Sequence, residues 1–322
     1  MNVQQQRITE NWALYQGDCV EVMQGMPANT FDFTLFSPPF STLYVYSDSE
    51  ADMGNNQDHK QFFEHFSYLI PELYRTSKVG RLCAVHCKDL PLYMNRDGAA
   101  GLYDFPGDLV RAFVTPTFGD QYSKWTFHSR ITIWKDPVIE MQRTKNHGLL
   151  WRNFSERGEV TRQGMADYVL VFRKWINPHE MPDKQVQNSP TEYIGDEPPQ
   201  SWDSKRDLSI QTWQKYASPV WFDIRQTNVL NVQSARSEDD EKHICPLQLD
   251  VIARCVDLWT NPGEVVFTPF AGIGSELYES IRLGRKAVGV ELKEEYFEQA
   301  CKNLDYMTDQ MSSKSFFDMG MS

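Results

Sequence analysis

Two short segments carry residue types that could do chemistry. Ser37-Pro38-Pro39-Phe40 follows the apolar run at residues 31–36. Its prolines stiffen the loop and bar an immediate helix. Ser37 and a loop carbonyl offer oxygen acceptors, and Phe40 offers a stacking face. A planar ring bearing an amino group would find there both acceptors for its N–H hydrogens and a surface to lie on. The second segment is Phe270-Ala271-Gly272-Ile273-Gly274-Ser275, set between an apolar run at 264–268 and a helical pattern at 276–283. Glycines there let backbone approach a ligand where a side chain would obstruct. About twenty residues beyond the first glycine, Glu291 closes a strand-like run, and a carboxylate so placed accepts hydrogen bonds from ribose hydroxyls. Leu277 replaces the third glycine of the dinucleotide pattern, which favours a smaller adenosine-containing ligand over NAD or FAD. The plain alternatives are an ordinary Pro-Pro turn and a glycine turn with no ligand.

Both segments need elements to hold them. Residues 12–15 are a short apolar run, Gly17-Asp18 is a turn signal, 19–26 have helical spacing and 31–36 read as a strand. Ser37–Phe40 therefore sits at a strand's carboxyl end, where open α/β sheets place their ligands. Residues 41–58 are polar and turn-rich, as in a lid. Residues 59–75 form a helical pattern with Phe62, Phe63 and Phe66 as core, and 82–86 a second strand; 91–108 read as loop and 109–113 as a short helix. The clearest β-rich runs are 126–134 and 168–175. His86 and His128 lie within apolar strands and are expected in the core. Residues 176–208 are rich in proline and polar residues, as in a linker or accessory region. Residues 245–259 form an amphipathic helix, 294–304 another, and 312–322 a tail.

The chain has 322 residues, of which 41% are hydrophobic and 13% aromatic, and this excludes disorder as the main state. No stretch approaches the roughly 18 apolar residues of a membrane span, and residues 1–9 lack a signal-peptide pattern. The six cysteines form no C-x-x-C pair, disulfide framework or metal-ligand spacing, so reduced thiols, a cytoplasmic location and no metal are expected. The net charge of −12 argues against a general nucleic-acid binder. Residues 141–175 depart from that average: Arg143, Lys145, Arg152, Arg157, Arg162, Arg173 and Lys174 face only Glu156, Glu159 and Asp167. His147, Trp151, Asn153 and Phe154 add side chains suited to phosphates and bases. A second candidate surface lies within 202–231, with Lys205, Arg206, Trp213, Lys215, Trp221, Arg225, Gln226 and Asn228.

S-P-P-F after one strand, with F-x-G-x-G after another, resembles the DNA amino-methyltransferases that modify cytosine N4 or adenine N6, whose catalytic motif reads (D/N/S)-P-P-(Y/F). The catalytic segment precedes the cofactor segment, as in the permuted β group. Tyr15-Gln16-Gly17-Asp18 is similar to the family's Gly-Asp segment. Lys242-His243-Ile244-Cys245-Pro246-Leu247-Gln248-Leu249 resembles its H-x-x-Q-K-P-x-x-L element, departing from it in the Gln-Lys-Pro portion. The resemblance covers about residues 12–135 and 240–304.

What this implies is an α/β, Rossmann-like methyltransferase fold: a mostly parallel seven-stranded sheet with a reversed hairpin, plus an inserted recognition region. Residues 1–139 would form the catalytic part, 140–165 a DNA-contacting insert, 166–175 a sheet strand, 176–239 an accessory or target-recognition region, 240–305 the cofactor-binding part and 306–322 a tail. The implied methyl donor is S-adenosyl-L-methionine. Phe270, Gly272, Gly274 and Ser275 would lie at its methionine end, Glu291 at the ribose and Asp18 at the adenine, with His243 and Pro246 nearby. The implied reaction is direct transfer to an exocyclic amine of a flipped base, with Ser37 and a loop carbonyl localising its lone pair. The cytosine-C5 route needs a Pro-Cys nucleophile, and no cysteine here follows a proline. Ser in the first motif position accompanies cytosine N4 more often than adenine N6, so cytosine is favoured and adenine is the alternative. An RNA or protein-amide substrate, or an inactive cofactor-binding module, stand further off. The implied partner is double-stranded DNA, contacted through Arg143, Lys145, Arg152, Arg157 and Arg162, with no membrane. A homodimer and a cognate restriction endonuclease stay open.

Overall fold

Strand β3 (Phe31–Phe36) is buried along its whole length, as a central strand covered on both faces must be. It lies between β10 (Val265–Thr268) and β4 (Ser77–Lys88), parallel to both. The computed structural model describes residues 3–39, 58–115, 125–144, 164–175, 210–230 and 246–319. β1 (Gln5–Ile8), β2 (Trp12–Gln16), β7 (Trp125–Ile133), β8 (Asp167–Lys174), β9 (Val220–Trp221) and β11 (Lys286–Glu291) complete a nine-stranded sheet in the order β1-β2-β11-β10-β3-β4-β8-β7-β9. Its inner seven strands, β2 through β7, are the expected frame, with β8 antiparallel to both of its neighbours. β1 and β9 add one further strand at each edge.

The sheet is covered on both faces. Helices α1 (Cys19–Gln24), α2 (His59–Thr76) and α4 (Phe105–Val114) place Val22, Met23, Phe62, Phe66 and Phe113 in one apolar cluster with Phe31, Val85 and Phe172. On a second cluster, α6 (Leu249–Trp259) packs Val251, Ile252 and Cys255 against Phe33, Leu35 and Val171. A third joins α7 (Ser275–Arg282) and α8 (Glu294–Met319) to β2 through Leu277, Phe297, Leu304 and Leu14. At the amino ends of the central strands, buried Asp32 accepts from the Val265 amide at 3.0 Å and pairs with Lys78 at 2.7 Å and Arg81 at 3.3 Å. Arg81 in turn pairs with Glu264. This knot pins three strands at one end, and their opposite ends carry the two chemical segments.

Several elements differ from their sequence reading. Residues 91–108 are not loop: β5 (Leu90–Leu92) and β6 (Gly101–Tyr103) pair around the one-turn helix α3 (Met94–Asp97), and α4 begins at Phe105. Strands of three residues are too short to leave an alternating pattern. The amphipathic helix near 245 starts only at Leu249, with Gln248 in extended backbone as its N-cap residue. The expected tail from 312 continues α8 to Met319. His128 is not a core residue; the β7–β8 register shifts between Phe127 and Ser129, and His128 is turned outward at that bulge. The Phe62 and Phe66 rings are fully buried as expected, with Phe63 partly buried beside them. Cys19, Cys83, Cys87, Cys255 and Cys301 are all buried free thiols. No helix among the described residues is long and apolar enough to cross a membrane.

Candidate active site

Ser37 leaves β3 one residue beyond Phe36, which pairs with Val85 of β4. His86 therefore stands beside Ser37, and the Ser37 Oγ lies 2.9 Å from His86 Nδ1. The other ring nitrogen, Nε2, lies 3.2 Å from Oδ2 of Asp167, the first residue of β8. The same Oδ2 is 2.5 Å from the Lys135 ammonium, in the segment leaving β7. His86, Asp167 and Lys135 are each buried. Burial alone would raise the Asp167 pKa. The hydrogen bond from His86, with the charges of Lys135 and Lys88, instead holds it well below the usual carboxylate range. Pro38 is buried and Pro39 half-buried behind Ser37. His86 is thus buried as expected but is not a bland core histidine.

The glycine turn emerges next to this chain. β10 and β3 are parallel neighbours with Phe267 opposite Thr34, so the turn after β10 and Ser37 leave the sheet at the same end. The Phe270 ring packs on Phe36 with centroids 5.6 Å apart. Within the turn the two glycines meet different needs. Gly272, at φ +53°, has open space where a Cβ would stand. Gly274, at φ +87°, brings α7 against α8 so closely that a Cβ would lie 3.2 Å from that of Ala300. Asn303 of α8 also donates to the Ile273 carbonyl at 2.9 Å.

Glu291, at the end of β11, accepts from the Gly272 amide at 2.6 Å and the Lys293 amide at 2.9 Å. A carboxylate offers roughly four acceptor positions, the chemistry that hydroxyl donors need. Asp18 caps α1 by accepting from the Glu21 amide at 2.9 Å, and burial raises its pKa. The preceding Gly17 amide donates to the Glu291 carbonyl at 3.0 Å, which sets Asp18 beside the glycine turn. Ser275 is buried as the first residue of α7. Pro246 is half-exposed ahead of α6, and Leu249 there donates to the Asn228 carbonyl at 2.8 Å. Leu230, two residues beyond Asn228, packs on Ile273 and Tyr296.

These residues fit an adenosylated sulfonium. Gly272 leaves an open approach, and the side-chain oxygens of Gln16 and Thr268, at the ends of β2 and β10, have no hydrogen-bond partner among the described residues. The carboxyl groups of Asp18 and Glu291 suit a cation. Sequence reading misses Glu276, which is buried in the first turn of α7; its burial first, and then the Glu291 charge, push its pKa up to about 8.

Phe40, His243, Lys145, Arg152, Arg157 and Arg162 lie outside the described residues, as do 41–57 and 176–209. Arg143 falls in helix α5 (Pro137–Thr144). Two charges of the basic run are used internally. The Lys174 ammonium is buried, donates to the Ser77 carbonyl at 2.7 Å and is lowered by burial to about 8. Arg173 donates to the Gly80 carbonyl at 3.0 Å and covers Trp175. In the second basic stretch Trp221 is core, Arg225 pairs with Asp250 at 2.6 Å, and Trp213 and Phe222 are exposed. No cluster suited to a metal ion occurs among the described residues.

Comparison with known proteins places this architecture. The chain is 24% identical over 306 residues to the type II methyltransferase M.BglII of Bacillus subtilis, covering 92% of this chain and 70% of that protein. Its fold matches the PvuII cytosine-N4-specific DNA methyltransferase with a TM-score of 0.62, at 14% identity over 96% of this chain and 94% of the other. It also matches a Thermus thermophilus protein, a DNA modification methylase by its description, solved with S-adenosyl-L-methionine. That match has a TM-score of 0.59, at 20% identity over 91% and 93% of the two chains. The model of the N6_N4_Mtase family, DNA methylase, matches residues 31–302, most of the length, and the chain belongs to that family.

Proposed function

We propose that this member of the family methylates N4 of cytosine in double-stranded DNA. Family membership carries the coarser statement: an S-adenosyl-L-methionine-dependent DNA amino-methyltransferase. The observation that supports the finer reading is the hydroxyl of Ser37, a neutral acceptor at the first motif position, held 2.9 Å from His86 beside the glycine turn.

Phe270, Gly272, Gly274 and Ser275 shape the donor's methionine end, Glu291 receives its ribose hydroxyls and Asp18 borders its adenine, with Pro246 and His243 as further donor-binding residues. When bound, the donor supplies an electrophilic methyl group on a sulfonium. The amine of a nucleobase is a weak nucleophile because its lone pair is delocalised into the ring. Ser37 Oγ and a carbonyl of the Pro38–Pro39 loop accept its two N–H hydrogens and favour the tetrahedral geometry that localises the pair. Phe40 supplies the stacking face. Such a site cannot reach a base inside a duplex, so the target is flipped out of the helix. Residues 140–165, with Arg143, Lys145, Arg152, Arg157 and Arg162, contact the phosphates and grooves, and 176–239 contribute target recognition. Confinement of contact to that locally basic part reconciles the net charge of −12 with DNA binding.

The test is incubation with labelled donor and unmethylated genomic DNA, followed by nucleoside mass spectrometry. N4-methylcytosine is expected. N6-methyladenine would replace the cytosine reading with the adenine one, and label appearing only on RNA or protein would overturn DNA as the substrate.

A further inference from the structure

We propose that His86, oriented by Asp167 and Lys135, fixes the Ser37 hydroxyl as an acceptor toward the target amine and takes up the proton that methylation releases. The proposal rests on the amino-methylation reading above. Asp167 is buried and held anionic, and an ionised carboxylate only accepts. His86 Nε2, 3.2 Å away, therefore carries a hydrogen and donates it. In the neutral ring Nδ1 then has a lone pair, directed at Ser37 Oγ at 2.9 Å. These roles are assigned from the partners of each nitrogen.

Ser37 answers by donating its single hydroxyl hydrogen to His86, which leaves its oxygen lone pairs for the substrate. A freely rotating serine would present a hydrogen or a lone pair indifferently, and a presented hydrogen would repel the amine's own N–H. The chain of four groups removes that ambiguity. It also offers a proton route. As the amine nitrogen bonds to the methyl carbon, the carbon–sulfur bond breaks and its electron pair stays on sulfur, so the nitrogen becomes positive. The nitrogen passes a proton to the Ser37 oxygen while the hydroxyl hydrogen moves to His86 Nδ1. The amine is left neutral and His86 becomes an imidazolium against the Asp167 carboxylate. That proton returns to solvent by the same path after product leaves. Serine nucleophiles use the same order of groups; here the hydroxyl relays a proton and does not attack. His86 is a positioning residue, since it acts through Ser37. The charged groups around it are Asp167 from β8, Lys135 from the segment after β7 and Lys88 from β4 itself.

The first measurement needs no turnover: nitrogen-15 NMR of the imidazoles in the full-length protein, assigned with His86→Asn. An Nε2–H, Nδ1-unprotonated ring is expected at neutral pH, and an Nδ1–H tautomer overturns the proposal. The second is steady-state transfer from labelled donor to unmethylated genomic DNA. His86→Asn is expected to lower kcat by about 10²-fold, at the low end of general acid–base effects. Donor binding by equilibrium dialysis is expected to stay unchanged. Adding His86→Asn to Ser37→Ala should slow the enzyme no further; multiplicative losses would mean that His86 acts elsewhere and overturn the assignment. If His86→Asn does not fold, Asp167→Asn keeps the shape but not the charge. It is expected to slow transfer about tenfold, and an unchanged kcat counts against the relay. An active unsubstituted protein with an equally active His86→Asn variant overturns only the role of His86. Absence of transfer by the unsubstituted protein overturns the functional reading and this proposal together.

Discussion

The ends of β3 and β4 and the ends of β10 and β11 lie side by side in one sheet but are finished in different ways. At the first, Ser37, His86, Asp167 and Lys135 satisfy one another in line. At the second, Gly272 faces open space, Gln16 and Thr268 hold side-chain oxygens without partners among the described residues, and Glu276 is buried where the Glu291 charge also raises its pKa. A closed chain of hydrogen bonds is rigid beforehand; unmet polar groups hold a free-energy cost that a ligand can relieve. The end proposed to face the base is preorganised, and the end proposed to face the donor is completed by what it binds.

The largest expected effect comes from opening the closed end. Ser37→Ala should lower methyl transfer about 10²–10³-fold, the loss typical of one preorganised polar group. Donor affinity by calorimetry should be unchanged, and weakened donor binding would show that the two ends are not separable. Filling the open end gives the next effect. Gly272→Ala adds a side chain at φ +53° in open space, and should weaken donor binding about tenfold while destabilising the fold by about 1–2 kcal/mol. Gly274→Ala, squeezed against Ala300, should show the greater loss in thermal unfolding, and equal stability losses would remove the distinction between the two glycines.

The two ends should also respond to pH in opposite directions. Glu276 keeps its proton up to about 8 in the folded chain, whereas the unfolded side chain ionises near its ordinary value. Its contribution is complete below that ordinary range and is lost as pH rises through about 8, by at most about 1.4 kcal/mol per pH unit. Asp167, held low, contributes above the ordinary carboxylate range, and its contribution is lost as pH falls. Thermal melts between about pH 4 and 9, a range spanning the ordinary carboxylate values and the raised one, check both signs. Glu276→Gln should flatten the alkaline side and Asp167→Asn the acid side. The smallest expected effect concerns the basic insert. Arg152→Ala with Arg157→Ala should reduce the salt dependence of DNA binding by about one in slope for each phosphate that is no longer neutralised. An unchanged slope would place the phosphate-binding groups elsewhere.

Much of this contrast is legible in the sequence. The six residues of β3 and the glycine turn leave direct signatures, because an apolar strand stopped by Pro38-Pro39 and a Gly-x-Gly ahead of a helix are local patterns. His86 is legible as a buried histidine but not as the partner of Ser37. The two are 49 residues apart and meet only because Phe36 and Val85 are in register. Cross-strand register is a property of the assembled sheet. Asp167 and Lys135 are hidden for the same reason, and Asp167 reads as one charge in a basic run when it is spent internally. Lys174 misleads in the same way, since burial and the Ser77 carbonyl remove it from the surface. The hairpin of β5 and β6 is too short to show a period, and the extension of α8 lies where polar residues mask a helix that docks through its earlier turns.

The order of strands has a further consequence for how the chain reaches this state. β2 and β3 are consecutive in sequence, yet β10 and β11, from residues 265–291, stand between them. During synthesis the amino-terminal strands cannot join one sheet until nearly the whole chain has emerged. Such long-range closure is slow. Until then β2 and β3 expose bare edges of the kind that invite mispairing. The glycine-turn unit is thus the keystone of folding as well as a wall of the site, and weakening β10 or β11 should lower the yield of folded protein before it lowers the affinity for the donor.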